Sequence, residues 1–156
     1  MHLGGQVQPE TGSLGFFLVS RNDGVRETRL KMIRALLVTH GNLGSELVNT
    51  AQLIVGPQTG VKVLSNEELS SESLCEAVQG EVRTYSQDET VIFVDVAGGS
   101  CLTACKATQA ECKKIRVVSG VNLPMVLEFF HYRGKLAFDE LVERILAKGR
   151  GGIQAF

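Results

Sequence analysis

An open, mostly parallel α/β sheet with helices on both faces is the architecture this sequence predicts. Three observations predict it: four short, largely apolar runs, apolar positions at helical spacing after each run, and Gly or Pro breaks between them. Strands that read as continuous apolar runs are buried on both faces, as in parallel sheets covered by helices.

Ile33–Val38 is the first such run. Leu43, Leu47, Ala51 and Ile54 then recur at helical spacing, and Gly56-Pro57 stops that helix. Val61–Leu64 is a short second strand, followed by a helix marked by Leu74, Ala77, Val78, Val82 and Tyr85. Val91–Val94 is the third strand. Gly98-Gly99-Ser100 breaks it and begins a helix bearing Cys101, Cys105, Thr108 and Cys112. Ile115–Val118 is the fourth strand, and Pro124 suits the first turn of a helix carrying Val126, Leu127 and Phe130. Phe138, Leu141, Val142, Ile145 and Leu146 give the cleanest amphipathic helix. Gly149–Gly152 is expected to break it before a short extended tail, Ile153–Phe156. Right-handed crossovers leave few topologies. The flavodoxin-like order 2-1-3-4 is the one expected, with the carboxyl ends of the first and third strands flanking a switch-point crevice.

With 156 residues, 44% apolar and 21% charged, the chain suits one globular domain. Its formal net charge of -1 and the lack of a basic run exclude an ordinary nucleic-acid binder. No apolar run approaches the roughly 18 residues of a membrane span. Residues 1–31 stand apart, rich in Gly, Gln, Pro and Ser and without periodicity, so a loose extension is expected there and the folded domain over 32–156. Cys75, Cys101, Cys105 and Cys112 form no C-x-x-C pair and no His sits at zinc-finger spacing, so no metal and no cofactor is expected. Three of them share one side of a helix as small buried hydrophobes, which suits a reducing cytoplasm.

Two loops open at the predicted crevice: Thr39-His40-Gly41-Asn42 after the first strand and Asp95 to Ser100 after the third. Singly, each is bland. A lone strand-end His is incidental in most proteins, and Asp95 or Gly98-Gly99 can be mere turn formers. Their convergence on adjacent strands is what points to chemistry. A carboxylate can take the Nδ1 proton of His40 and fix its tautomer, leaving Nε2 to face an incoming phosphoryl group. Phosphoryl transfer asks mainly for positioning and charge stabilisation. Gly41, Gly98 and Gly99 let backbone amides approach, Ser100 is expected to cap a helix whose N-terminus favours anions, and Thr39 and Ser100 are candidate phosphate donors. His131 reads as a packing or dipole-complementing residue, His2 as part of the extension, and Lys113, Lys114 and Arg116 as a solvated helix end.

Thr39-His40-Gly41, Val94-Asp95-x-x-Gly98-Gly99-Ser100, Gly120-Val121-Asn122-Leu123-Pro124-Met125 and Phe138-Asp139-Glu140-Leu141-Val142 resemble, in order, the mannose-family EIIA component of the bacterial sugar phosphotransferase system. The likeness runs from Met32 to the C-terminus. It implies a cytoplasmic phosphoryl carrier that accepts phosphate from the phosphocarrier HPr on His40, oriented by Asp95, and passes it to an EIIB component. It also implies a homodimer that exchanges a C-terminal strand, for which Ile153–Phe156 is the candidate, with neither nucleic acid nor membrane insertion. Two positions depart from familiar members: Ala97, where a bulky or aromatic residue is frequent, and Cys101, where Pro is common.

Other readings fit less well. Phosphoglycerate-mutase-type phosphatases need an Arg where Thr39 stands. Flavodoxins want a hydroxyl-rich loop after the first strand, and response-regulator receivers want paired acids there. The dihydroxyacetone-kinase phosphocarrier subunit shares the plan but lacks the Gly-Gly-Ser form. A regulatory phosphoprotein of the same family, signalling to a partner without feeding a transporter, is the alternative from another class.

Overall fold

A computed structural model describes residues 32–156; the expected extension over 1–31 lies outside the described residues. The order of elements is β1 (Arg34–Thr39), α1 (Leu43–Val55), β2 (Val61–Ser65), α2 (Ser71–Thr84), β3 (Thr90–Val94), α3 (Gly99–Glu111), β4 (Ile115–Ser119), α4 (Leu123–Tyr132) and α5 (Phe138–Gly151). The four strands pair in parallel in the order β2-β1-β3-β4, as expected. Register sets Val38 beside Val94, so the chain leaves β1 and β3 at the same level, at Thr39-His40 and at Asp95.

Alternation along each strand divides the core in two. Ala35, Leu37, Val91, Phe93 and Val118 face α1, α4 and α5, where Phe129 meets Phe93 edge-on at 5.7 Å. Leu36, Val38, Ile92, Val94 and Ile115 face α2 and α3, packing on Leu74, Val78, Cys101 and Cys105. Both faces of the central strands β1 and β3 are therefore dry, which is why residues 35–38 and 91–94 read as unbroken apolar runs, while Lys62 and Arg116 interrupt the edge strands β2 and β4. Among the described residues no helix is long and apolar enough to cross a membrane.

Local signals set the helix ends. Ser70 accepts from the Ser73 amide at the start of α2, and Asn122 accepts from Met125 at the start of α4, with Pro124 in its first turn. Three expectations need correction. The glycines at 149–152 do not end the last helix at Gly149; α5 runs on to Gly151. Gly149 is there for contact: a Cβ on it would stand 2.5 Å from Met125 Cγ, and its carbonyl accepts from Asn122 Nδ2. Lys113, Lys114 and Arg116 are not a helix end, since α3 stops at Glu111 and Arg116 lies on β4, paired with Asp139 at 2.8 Å. Lys114 Nζ instead donates to the carbonyls of Ser86 and Gln87. Cys112 caps α3, half-buried, while Cys101 and Cys105 are buried on its inner side.

Candidate phosphoryl site

The site begins with two chain ends held at one height. β1 carries its apolar run through Thr39, which is fully buried, and the next residue, His40, leaves the sheet with its side chain half exposed. Gly41 follows at φ +51°, a left-handed turn that suits glycine, and α1 starts at Leu43. Thr39 is placed beneath this turn: its hydroxyl accepts from the Gly44 amide at 2.8 Å. The hydroxyl read from the sequence as a candidate phosphate donor is thus buried under the turn, where its side chain serves as the cap that Asn42 does not supply. A methyl at Gly44 would meet Thr39 Oγ1 and Val63 Cγ1, each at 2.8 Å. Gly44→Ala is accordingly expected to lower unfolding stability by about 1–3 kcal/mol, measured as a shifted urea midpoint at unchanged slope.

Asp95 follows β3, and its carboxylate is fully engaged. One oxygen accepts from both the His40 backbone amide and His40 Nδ1, each at 2.9 Å, and the other accepts from the Val96 amide at 2.9 Å. Its side chain is 8% exposed against 50% for His40, so the acid forms the floor and the imidazole the open face. Burial pushes the Asp95 carboxyl up, but the His40 amide and ring and the Val96 amide together outweigh it. The acid is left below the ordinary aspartate range. An ionised Asp95 accepts only, so the Nδ1 contact fixes the proton on Nδ1 and leaves the Nε2 lone pair free.

The loop after β4 braces this arrangement. The Val121 amide donates to the carbonyl of Val94, the residue before Asp95, at 3.1 Å. The run Gly120 to Met125 thus holds β3's end as well as starting α4. After Asp95 the chain turns through Val96 and Ala97, with Gly98 as the N-cap residue of α3 and Gly99 at φ +74°. Ser100 does not cap; Gly98 takes that position without a side-chain bond, and Ser100 lies in the first turn. First-turn amides of a helix lack intrahelical acceptors, which makes Gly99-Ser100 an anion-friendly end beside the imidazole.

One member of the cluster was not predicted. Cys101 Sγ, a His40 ring nitrogen and an Asp95 oxygen all lie within 4.8 Å of one another. Burial, then the Asp95 charge, pushes the Cys101 thiol up. The packing role read from helical spacing holds for Cys101, which is fully buried, but spacing says nothing of its nearness to His40. The available signal was its place directly after Gly98-Gly99-Ser100, in the turn that leads from Asp95 into α3. His131 stays apart from the site, on α4, with its ring edge-on to Tyr132 at 4.5 Å.

Comparison with known proteins bears on the same residues. Residues 34–146 match the family model EIIA-man, described as PTS system fructose IIA component. The chain is 30% identical over 128 residues to the PTS system mannose-specific EIIAB component of Escherichia coli K12, covering 79% of this chain and 39% of that protein's length. It is 25% identical over 116 residues to the PTS system sorbose-specific EIIA component of Klebsiella pneumoniae, covering 74% of this chain and 86% of that one. The crystal structure of phosphotransferase system component EIIA from Streptococcus agalactiae superposes with a TM-score of 0.74 at 29% identity, over 80% of this chain and 97% of that one.

Proposed function

Because this chain belongs to the EIIA-man family, we propose that it is a cytoplasmic phosphoryl carrier of a sugar phosphotransferase system, with His40 as its phosphorylated residue. The observation that carries this reading is the 2.9 Å contact between His40 Nδ1 and the buried Asp95 carboxylate. With Nδ1–H donating to Asp95, Nε2 attacks the phosphorus of phospho-HPr. The N–P bond of the donor breaks as the new one forms, and the donor ring leaves with the electron pair. Asp95 stays ionised and offsets the positive charge that builds on the ring. Amides of Gly41, Gly99 and Ser100 supply donors for the phosphoryl oxygens. The reverse attack, by a histidine of an EIIB component, discharges the carrier. The curated relatives named above are sugar-specific components, which favours feeding a transporter over a regulatory role.

The partner-exchanged tail belongs to the same proposal. β4 is an edge of the sheet, and a groove of about 440 Å³ runs beside it, lined by Val117, Ser119, Asn122, Leu146 and Ile153. Residues 153–156 lie largely exposed beyond α5, Ile153 at 81%. A second copy's tail, added as a strand to β4, covers both the groove and the open edge. Sedimentation equilibrium is expected to give a two-chain species that dissociates when 153–156 are deleted; a monomeric full chain contradicts the exchange.

The carrier reading is tested by incubating the full chain with phosphoenolpyruvate, enzyme I and HPr. The expected result is a mass gain of one acid-labile phosphate, discharged on adding an EIIB component. An unchanged mass with an HPr that phosphorylates another EIIA overturns it.

A further inference from the structure

We propose that His40, Asp95 and Cys101 form a binding site for a thiophilic divalent cation, zinc above all, which blocks His40 as a nucleophile while it is bound. The site rests on geometry alone; only its regulatory consequence rests on the phosphoacceptor reading.

Among the described residues this is the single group of three metal-competent side chains with ligand atoms this close, all within 4.8 Å of one another. Donors of one tetrahedral zinc at about 2.0–2.3 Å stand roughly 3.3–3.8 Å apart, so side-chain rotations of the order of an ångström complete the set. The donor chemistry is nitrogen, oxygen and sulfur, the mixture zinc accepts and magnesium or calcium does not. An ionised Asp95 and a thiolate neutralise the two positive charges, with the thiol proton released to solvent. Shape agrees with charge: Cys101 is wholly buried and Asp95 nearly so, while half-exposed His40 faces solvent. A cation enters over His40, meets two anchored donors beneath, and keeps a fourth position open to water.

The consequence follows from the imidazole's two nitrogens. A cation on Nε2 occupies the lone pair that attacks phosphorus. A cation on Nδ1 displaces that proton from Asp95, and the neutral ring then carries its proton on Nε2, again leaving no lone pair there. Either way a zinc-loaded chain accepts no phosphate. Reciprocally, a phosphoryl group on Nε2 closes the route of entry. Cys101 is the residue this function needs and the phosphotransfer does not.

The test uses the full chain, reduced and metal-free, titrated with Co²⁺ and with Zn²⁺ against a chromophoric chelator, without any phosphoryl donor. The expected result is one ion per chain and, with Co²⁺, a thiolate-to-metal charge-transfer band. Outer-shell losses around zinc cost 10–100-fold, so losing a direct ligand through Cys101→Ser or His40→Ala is expected to weaken binding at least about tenfold. Cys112→Ser, outside the site, should change nothing. No charge-transfer band in the wild type, or equal affinity in Cys101→Ser, overturns the site. The wild-type Co²⁺ spectrum needs no variant to fold. In a separate arm, zinc is expected to halt phosphate uptake from phospho-HPr and a chelator to restore it, while Cys101→Ser resists zinc. Uptake by the wild type undiminished at saturating zinc overturns the block. Failure of uptake in metal-free protein would count against the carrier reading and leave the metal titration standing.

Discussion

His40→Ala is expected to take up no phosphate from phospho-HPr at times that saturate the wild type, a loss on the order of 10⁶ in rate, as for removal of the nucleophile in other covalent mechanisms. No neighbouring group can stand in. Cys101 is fully buried with its thiol pushed up, and Ser100 lies in the first turn of α3, with no base within the described contacts. Stability should change little, because His40 is half exposed and its side chain contributes one hydrogen bond, worth about 1 kcal/mol. Unchanged circular dichroism together with lost uptake separates chemistry from folding. Phosphate uptake surviving in His40→Ala would move the nucleophile elsewhere in the chain.

Asp95→Asn is expected to be the second most damaging change, slowing phosphate uptake by about 10²–10⁴. The substitution keeps the shape and the acceptor toward one amide but exchanges an acceptor for an NH₂ donor. Where that NH₂ faces Nδ1, the imidazole proton is driven to Nε2 and the nucleophile is lost. The same variant changes the acid limb of stability. Asp95 lies below the ordinary aspartate range when folded, so its contribution is fully present above that range. It is lost as pH falls through the depressed folded value. Urea midpoints of the wild type should therefore drop as pH is lowered beneath about 3.9, and the Asn variant should lack that part of the drop. A variant with wild-type uptake and an unchanged acid limb would remove Asp95 from both roles.

Much of this site is legible in the sequence because the strands announce themselves. Two faces of packed helices demand continuous apolar strands, and a parallel order with β1 beside β3 brings His40 and Asp95 together without knowledge of a single side chain. What stayed hidden depends on contacts across elements. Thr39 before a histidine reads as a candidate phosphate donor, and β1 extends one residue further than its apolar run and buries it against the Gly44 amide. Gly149 reads as a helix breaker, but its small size admits Met125 and the helix continues. Ser100 reads as a cap, whereas α3 already starts at Gly99, with Gly98 as its N-cap residue. Cys101 looked like one of several packing cysteines, since nothing along one chain reports that a helix's first inward residue meets the floor of a neighbouring strand's loop.

The pairing of His40 with Asp95 is tested most directly by nitrogen-15 and phosphorus-31 NMR of the phosphorylated chain. Phosphorus is expected on Nε2 of His40, with the Nδ1 proton retained and shifted by its bond to Asp95. Phosphorus on Nδ1, or on any residue other than His40, would contradict it.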